Sequence, residues 1–326
     1  MTELYPLKFR SILKSIIWGG DRITEFKGIT PNRDGIGESW EVSAVKDNVS
    51  VVSNGALEGK PLDGLIATYG ASLMGKHNIE RYGAKFPLLI KFIDARDDLS
   101  IQVHPDDRLA QQRHNSFGKT EMWYVVKAAP GAGLYSGFSK QIDAEKYVGL
   151  VKENKITDVL QHYEVKEGDV FFLPAGRVHA IGAGTFIAEI QQNSDITYRI
   201  YDYNRKDASG KGRELHTELA KDAIDYRVEK DYRTHYKEAL NEAVPLAASD
   251  YFTTYLLHFD KTVRRSIGKR DSFSIYICLE GKLNLTDNKG NSTELRQGET
   301  LLIPADTQDV TLTPSGICKL LETFVG

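Results

Sequence analysis

The stretch Ser100-Ile101-Gln102-Val103-His104-Pro105-Asp106 alternates polar residues with β-branched ones. Successive side chains of a strand point to opposite faces, so Ser100, Gln102 and His104 share one face, while Ile101 and Val103 share the other. A polar inner face is stable only if it binds polar groups there. The stretch therefore predicts a strand that presents potential metal ligands to the inside of a small β-barrel.

A second stretch, Gly168-Asp169-Val170-Phe171-Phe172-Leu173-Pro174-Ala175-Gly176-Arg177-Val178-His179, brings another histidine to this barrel. Its two glycines and its proline are turn residues on either side of the apolar run at 170–173. We therefore expect a strand over this run, a tight turn, and His179 at the start of the returning strand.

Short apolar or alternating runs, separated by turn residues, dominate the chain from Phe86 onward and predict an antiparallel sandwich or barrel. The runs lie at 87–93, 99–104, 121–127, 170–173, 186–190 and 196–203. Helical periodicity is confined to inserts at about 61–78 and 143–163. The pattern predicts a mainly β protein whose helical inserts lie in its N-terminal part.

The composition of the 326-residue chain, with 41% hydrophobic and 27% charged residues, is typical of a globular protein with room for two domains. A net charge of −3 predicts no nucleic-acid partner, so a local cluster of Lys and Arg must bind any anionic ligand. The chain has no apolar run of about 18 residues and no signal-peptide pattern, so we expect no membrane association and a cytoplasmic location. Cys278 and Cys318 are expected to be reduced, buried thiols.

A change of composition at 226–249, with Pro245 as a breaker, predicts a metal-binding domain over 1–240 and a second domain over 241–326. The second domain repeats the 168–179 framework from Gly298 to Asp309, where Asp309 replaces the histidine. We therefore expect a second barrel without a metal. The pattern Gly-x5-Pro-x-Gly-x2-His resembles the second motif of the cupin superfamily, and this implies two cupin-type jelly-roll barrels.

Four side chains are candidate metal ligands: Gln102, His104, Glu121 and His179. Glu121 lies in a further strand-like run, so three strands would bring the four donors together. Two imidazoles, one carboxylate and one amide oxygen suit Zn²⁺, but iron(II) and manganese accept the same donors. Donor type alone leaves the identity of the metal open.

The motifs of the chain, taken in order, are similar to those of type I mannose-6-phosphate isomerase in its short bacterial form. The resemblance spans nearly the whole chain. It is carried by Trp18-Gly19-Gly20, Gly37-Glu38-Ser39-Trp40-Glu41, Phe86-Pro87-Leu88-Leu89-Ile90-Lys91-Phe92, the stretches at 99–107, 118–123 and 168–179, and Gln191-Gln192-Asn193-Ser194-Asp195-Ile196-Thr197-Tyr198-Arg199-Ile200-Tyr201-Asp202.

This resemblance implies a zinc-dependent aldose-ketose isomerase, with one Zn²⁺ per chain, that interconverts mannose 6-phosphate and fructose 6-phosphate through a cis-enediol. The four candidate donors match the zinc ligands of the family, and Ser100, Lys119 and Arg199 match residues around its substrate. Longer members carry a lysine six residues after the arginine, where this chain has Arg205. A cation is retained there with a different geometry.

Arg199, Tyr201, Tyr203 and Arg205 follow one another at intervals of two residues, which predicts that all four lie on one face of a strand. Two guanidinium groups on that face would bind the phosphate bidentately, with Ser100 and Lys119 as further donors. The alternative is a solvated edge strand with exposed arginines.

Lys91 interrupts the apolar run at 88–93. Burial would lower the pKa of its amine, and a nearby zinc would lower this pKa further, so Lys91 is a candidate proton carrier near neutral pH. The alternative is that its stem packs while the ammonium reaches solvent. Asp195 is a second candidate, either to partner Lys91 or to move a hydroxyl proton.

Two other functions stay open at this point, an iron-dependent cupin dioxygenase and a non-catalytic sugar-binding cupin. Gln102 in place of a further histidine, together with the cations proposed to bind phosphate, argues against the dioxygenase. The presence of all four candidate metal ligands argues against a purely binding role. We expect a small-molecule sugar phosphate as the ligand and a monomer or weak homo-oligomer as the assembly.

Overall fold

The computed structural model of the chain describes residues 2–206 and 210–326, and its strands form two barrels. The strands are, in chain order, β1 (Leu7–Lys8), β2 (Ile12–Gly20), β3 (Ile36–Val42), β4 (Ala44–Val45), β5 (Asn48–Val49), β6 (Leu88–Asp94), β7 (Ile101–Val103), β8 (Glu121–Ala128), β9 (Gly133–Phe138), β10 (Leu160–Glu164), β11 (Val170–Leu173), β12 (His179–Ile181), β13 (Thr185–Gln192), β14 (Tyr198–Tyr201), β15 (Arg233–Thr234), β16 (Glu242–Ala248), β17 (Thr253–Phe259), β18 (Val263–Ser266), β19 (Ser274–Glu280), β20 (Lys282–Asp287), β21 (Ser292–Arg296), β22 (Thr300–Ile303), β23 (Asp309–Pro314) and β24 (Cys318–Phe324).

The α-helices all lie between β2 and β15 in the chain. They are α1 (Arg22–Phe26), α2 (Leu62–Tyr69), α3 (Ala71–Met74), α4 (Lys76–Tyr82), α5 (Asp107–His114), α6 (Ala144–Lys152) and α7 (Thr217–Ala223), with 3₁₀ turns at Gly55–Leu57, Ile156–Val159 and Gly268–Arg270. Within the described ranges, no helix is long and apolar enough to span a membrane.

The first barrel consists of two facing sheets, a larger one with the strand order β15-β11-β8-β13-β6-β3-β2 and a smaller one with the order β10-β9-β12-β7-β14. Apolar side chains from both sheets form the core between them, among them Trp123, Leu134 and Ile181. Ile101 and Val103 of β7 belong instead to the outer cluster that includes residues of α6 and α7. The alternate, polar residues of β7 therefore point into the barrel, as the sequence predicts.

The second barrel has the sheet orders β1-β22-β19-β24-β17-β16 and β18-β23-β20-β21. Its larger sheet packs back to back against the larger sheet of the first barrel, with Phe92 and Tyr124 in one core cluster with Ile275 and Leu321. β1 pairs with β22, so the start of the chain joins the sheet of the second barrel. The domain division at 240/241 stays a prediction.

The predicted mainly β architecture with two barrels is confirmed. The strand predicted at 196–203 is too long, because it ends at Tyr201 and the φ angles of Tyr203 and Asn204 are 53° and 55°. These left-handed conformations are incompatible with an extended strand, so the predicted alternation breaks before Arg205.

The helix predicted at 143–163 is also too long. α6 ends at Lys152, Asn154 adopts a φ of 57°, and residues 160–164 form β10. The first insert is helical from α2 to α4. Helices α5 and α7 lie outside the predicted inserts, and α5 begins where the Asp106 side chain accepts a hydrogen bond from the backbone N–H of Leu109.

Candidate active site

Three buried side chains of the first barrel, His104, Glu121 and His179, bring their ligand atoms within 4.8 Å of one another. His179 opens β12 and pairs in register with Gln102 of β7, while Glu121 opens β8 in the facing sheet. The Nε2 atoms of Gln102 and His179 are 3.3 Å apart. The strands thus bring together the four side chains that the sequence predicts as ligands.

Backbone carbonyls orient both imidazoles of this cluster. Nδ1 of His104 donates to the carbonyl oxygen of Ile196, and Nδ1 of His179 donates to that of Arg177, each at 2.8 Å. Because a carbonyl oxygen only accepts, the proton of each neutral ring belongs on Nδ1, and the Nε2 lone pairs are available. These Nε2 atoms lie 3.3 Å and 3.6 Å from the carboxylate oxygens of Glu121.

The charge states of the cluster follow from its burial. Burial lowers the pKa of His104 to about 3, and the Lys119 charge acts in the same direction. Burial also lowers the pKa of His179. Burial alone would raise the pKa of Glu121, but Lys119 and His104 hold it well below its usual range. At neutral pH the cluster therefore presents two neutral imidazoles and one carboxylate.

These residues fit a divalent metal ion. Both carboxylate oxygens of Glu121 are buried and accept no hydrogen bond from the residues that the structure describes, although Nζ of Lys119 lies 2.8 Å from Oε1. The Lys119 ammonium compensates this buried charge on one side, and a metal ion at the cluster would compensate it further. Two lone pairs of imidazole nitrogens facing that carboxylate supply the donor set that zinc and similar metals use.

A cavity of about 360 Å³ opens beside the cluster, at the small end of the range for small-molecule sites. It reaches the cluster through Lys119, whose Nζ is 3.2 Å from Nε2 of His104. The predicted site residues that line the cavity are Lys91, Ser100, Gln102, Lys119, Asp195 and Arg199.

Lys91 forms a buried ion pair in this cavity, with Nζ 3.0 Å from Oε2 of Glu189. Burial lowers the pKa of Lys91, but the charges of Glu189 and of two further glutamates outweigh this and raise it above its usual value. The predicted lowering is therefore wrong, because β13 places Glu189 in register with Lys91. The carboxylate that pairs with Lys91 is Glu189, not Asp195, and the ammonium does not reach solvent.

The arginines differ from the prediction as well. Arg199 lines the cavity, but the second arginine of its lining is Arg213, not Arg205. Arg205 donates to the carbonyl oxygen of Asp98 at 2.5 Å and to the carboxylate of Asp202. The strand that would have placed Arg199 and Arg205 on one face ends at Tyr201, between them.

Sequence reasoning missed three charged residues of the cavity: Glu38, Glu189 and Arg213. Glu189 is the sole charged residue of β13, and a lone charge in an apolar strand was a usable signal. The carboxylate of Glu38 accepts a hydrogen bond from Nε1 of Trp40 at 2.6 Å. The two residues are two positions apart on β3 and therefore share one face of the strand. No spacing rule points to Arg213, because its place at the cavity depends on the contacts of residues 214 and 216 with Arg199.

Asp195 is exposed and lies where the cavity meets a neighbouring groove of about 640 Å³. Its carboxylate is therefore accessible from solvent. This position differs from that of Glu189, which is buried and whose pKa is raised by burial and by the charge of Glu121.

The second barrel holds no comparable cluster: within residues 2–206 and 210–326, His104, Glu121 and His179 are the sole group of His, Cys, Asp or Glu with ligand geometry. Asp309, at the position corresponding to His179 in the repeat, is exposed. One buried carboxylate of this barrel, Glu322, accepts hydrogen bonds from Tyr276 and from two arginines.

The chain matches two sequence models of known families. "Phosphomannose isomerase type I, catalytic domain" matches residues 7–124, and "Mannose-6-phosphate isomerase, cupin domain" matches residues 244–324. A probable mannose-6-phosphate isomerase of Bacillus subtilis is 33% identical over 320 residues, which cover 97% of this chain and 98% of the relative. A mannose-6-phosphate isomerase of Streptococcus mutans is 35% identical over 300 residues, 92% of each chain.

Solved structures show the same similarity. The mannose 6-phosphate isomerase of Bacillus subtilis superposes with a TM-score of 0.86 at 29% identity and covers 98% of this chain and 99% of that chain. A putative mannosephosphate isomerase of Archaeoglobus fulgidus reaches a TM-score of 0.81 at 23% identity over 98% of both chains, which shows the fold alone. The cupin prediction for the fold is thereby confirmed.

Proposed function

The chain belongs to the type I mannose-6-phosphate isomerase family and is an isomerase, and we propose that it uses one bound Zn²⁺ to interconvert mannose 6-phosphate and fructose 6-phosphate through a cis-enediol. The observation that carries the proposal is the convergence of the buried Glu121 carboxylate with the Nε2 atoms of His104 and His179, which lie 3.3 Å and 3.6 Å from its oxygens.

We propose that Gln102, His104, Glu121 and His179 hold the zinc. Rotation of the Gln102 amide by half a turn would present its oxygen where its nitrogen now lies near His179. When bound, zinc supplies a Lewis acid that stabilises negative charge developing on the substrate oxygens. The neutral state of both imidazoles is the state that such a site requires.

The remaining roles belong to side chains of the cavity. Lys91 and Lys119 are two cations of the cavity lining, and they would stabilise the negative charge of an enediolate. Since Glu189 keeps Lys91 charged, its proposed role is to donate a hydrogen bond or a proton rather than to act as a base. Asp195, an accessible carboxylate of the cavity, is the proposed partner for a hydroxyl proton.

The substrate requires positive charge, because a sugar phosphate carries nearly two negative charges and the chain has a net charge of −3. Ser100, Lys119 and Arg199 supply hydrogen-bond donors within the cavity and are proposed to bind the substrate. Arg205, predicted to do the same, makes its contacts with Asp98 and Asp202 outside the lining.

Neither alternative function gains support from the comparisons, since the relatives described above are isomerases by name. We also propose a cytoplasmic location, which agrees with the two buried, unpaired cysteines, Cys278 and Cys318. A monomer or weak homo-oligomer stays a prediction.

The test is a coupled assay with mannose 6-phosphate on the purified protein, on the same protein after chelation, and after add-back of Zn²⁺, Fe²⁺ or Mn²⁺. We expect activity to vanish on chelation and to return with zinc. Activity that survives complete removal of metal would overturn the zinc dependence. Oxygen consumption without isomerisation would overturn the isomerase assignment in favour of a dioxygenase.

A further inference from the structure

Arg213 reaches the cavity because the segment 213–216 lies against β14. The backbone N–H of His216 donates to the carbonyl oxygen of Arg199 at 2.7 Å, and the backbone N–H of Arg199 donates to Nδ1 of His216 at 3.0 Å. Nη1 of Arg199 donates to the carbonyl oxygen of Glu214 at 2.9 Å. These hydrogen bonds hold the segment 213–216 against Arg199. Arg213 and Arg199 therefore line the same cavity.

Asp202 holds the guanidinium of Arg213 in place. Nε and Nη2 of Arg213 donate to its two carboxylate oxygens at 2.8 Å and 2.5 Å, and Arg205 binds the same carboxylate. Asp202 is buried, and its hydrogen bonds to the two arginines lower its pKa despite the opposing effect of burial. This bidentate contact leaves Nη1 of Arg213 unused by Asp202.

Arg199 and Arg213 bring two guanidinium groups to the lining of the same cavity. Nε of Arg199 is buried without a hydrogen-bond partner among the described residues. Burial, and then the charge of Arg213, lower the pKa of Arg199, so the second guanidinium is close enough to disfavour the first. Two guanidinium groups that repel each other on the wall of a cavity form a site that an anion stabilises.

We propose that Arg213, with Arg199, binds the phosphate group of the substrate, and that Asp202 and Arg205 position Arg213. This assignment rests on the proposed function, because it takes the anion to be the phosphate of a hexose phosphate. It replaces Arg205 as the second phosphate-binding cation: Arg205 acts through the shared carboxylate, whereas Arg213 contacts the ligand.

The experiment measures the KM for mannose 6-phosphate and the inhibition constant of inorganic phosphate in Arg213→Ala. Loss of a charge-assisted contact should raise both about tenfold to a hundredfold, with unchanged metal content and a smaller change in kcat. Arg213→Lys keeps the positive charge but loses the guanidinium that can donate two parallel hydrogen bonds. It should therefore raise KM and the inhibition constant less than Arg213→Ala does. Arg227→Ala is the matched control, since Arg227 is 86% exposed in its pair with Asp225, and it should leave both constants unchanged.

Arg205→Ala should raise the same two constants by a smaller factor than Arg213→Ala. It removes only a hydrogen-bond donor to Asp202, the residue that positions Arg213. A KM within twofold of the wild-type value in Arg213→Ala would overturn the proposal. A raised KM with an unchanged inhibition constant for phosphate would also overturn it, because it would show a structural role.

Failure of the proposed function gives a different result, since the wild-type protein would then not isomerise mannose 6-phosphate at all. In that case calorimetric titration with inorganic phosphate still decides the role of Arg213. Weaker binding in Arg213→Ala than in the wild type would support an anion site there, and equal affinities would overturn it.

Discussion

The buried carboxylates of Glu121 in the first barrel and of Glu322 in the second barrel are compensated in different ways. Glu121 in the first barrel accepts no hydrogen bond from the described residues and faces two histidines and a lysine. Glu322 in the second barrel accepts hydrogen bonds from Tyr276, Arg265 and Arg270, at distances between 2.5 Å and 3.3 Å. One carboxylate is left for a ligand, and the other is satisfied by its own chain.

The comparison shows how the same fold can hold a candidate metal site in one barrel and a structural ion-pair network in the other. A buried carboxylate must be paired, either by donors of the protein or by an ion from outside. In the second barrel, permanent donors stabilise the fold and close the interior to a metal. In the first barrel, the protein supplies Glu121 with one close ion partner, the Lys119 ammonium, and we propose that a bound metal ion supplies the rest of the compensation.

The largest expected effect comes from removing a metal ligand of the first barrel. His104→Ala and His179→Ala should each lose tightly bound zinc and nearly all isomerase activity, because removal of one of four protein ligands leaves an under-coordinated site. Metal analysis of the purified variants and the coupled assay with mannose 6-phosphate check this.

His235→Ala serves as the control, because His235 is 74% exposed and pairs with Asp231 at the surface. It should keep wild-type zinc content and turnover. Stoichiometric zinc with normal turnover in either ligand variant would remove that histidine from the ligand set and with it the contrast between the barrels.

The second prediction concerns stability and separates the two carboxylates. Glu322→Ala leaves Arg265 and Arg270 without their buried partner, and should lower the free energy of unfolding by about 3 kcal/mol, the lower end for a broken buried pair because the arginines are partly exposed. Glu121→Gln should also lower the stability of the metal-free protein, because Lys119 loses its buried partner, but unlike Glu322→Ala it should weaken zinc binding. Urea unfolding and metal content measure both quantities.

The exposed glutamate Glu294, which pairs with Lys282 and Arg296 at the surface, is the control for loss of an ion pair. Glu294→Ala should produce no measurable change in unfolding. The contrast between the barrels fails if Glu322→Ala reduces zinc content while unfolding like the wild type.

The sequence predicts the parts of this arrangement that depend on local periodicity. Alternation in β7 indicates that Gln102 and His104 share the inner face, and the turn residues before His179 indicate its return strand. What the sequence does not predict depends on pairing between distant strands. The register of β13 against β6 gives Lys91 its partner Glu189, and the contacts of Glu214 and His216 with Arg199 place Arg213, not Arg205, at the cavity.

The third prediction tests the ion pair inside the catalytic barrel. Lys91→Met leaves Glu189 buried without its cation and should lower the free energy of unfolding by about 2 kcal/mol, less than a full broken pair because the raised pKa of Glu189 lets it take up a proton. It should also reduce kcat by about a hundredfold through loss of a charge beside the developing enediolate.

The double variant Lys91→Met/Glu189→Gln distinguishes the two effects. Stability should recover in the double variant, since no unpaired charge remains, while kcat stays low. If Lys91→Met turns over at the wild-type rate, Lys91 is structural, and the search for the proton carrier moves to Asp195.

The fourth prediction is a pH dependence that belongs to the second barrel. Burial would raise the pKa of Glu322, but its bonds to Arg265 and Arg270 hold it below the usual value. A depressed folded-state pKa contributes stability that is fully present above the unfolded value, about 4.3, and is lost as the pH falls through the folded value. Metal-free wild-type protein should therefore lose stability below about pH 5 more steeply than Glu322→Gln, by at most 1.4 kcal/mol per pH unit. Parallel slopes in urea unfolding at pH 5 and pH 3.5 would contradict this.

The smallest expected effect comes from restoring the missing histidine of the repeat. In the first barrel, His179 and Ile181 of β12 point inward, whereas in the second barrel Val310 and Leu312 of β23 belong to the core, so Asp309 points outward. The two strands are offset by one residue, and an offset of one residue reverses every side chain of a strand. Asp309→His should therefore add one exposed imidazole without partners, bind no zinc, and change the free energy of unfolding by less than about 0.5 kcal/mol. Metal analysis and urea unfolding measure this. A second equivalent of tightly bound zinc would contradict the prediction, because it would show that the two barrels differ at this position by one side chain and not by the direction in which the side chains of the strand point.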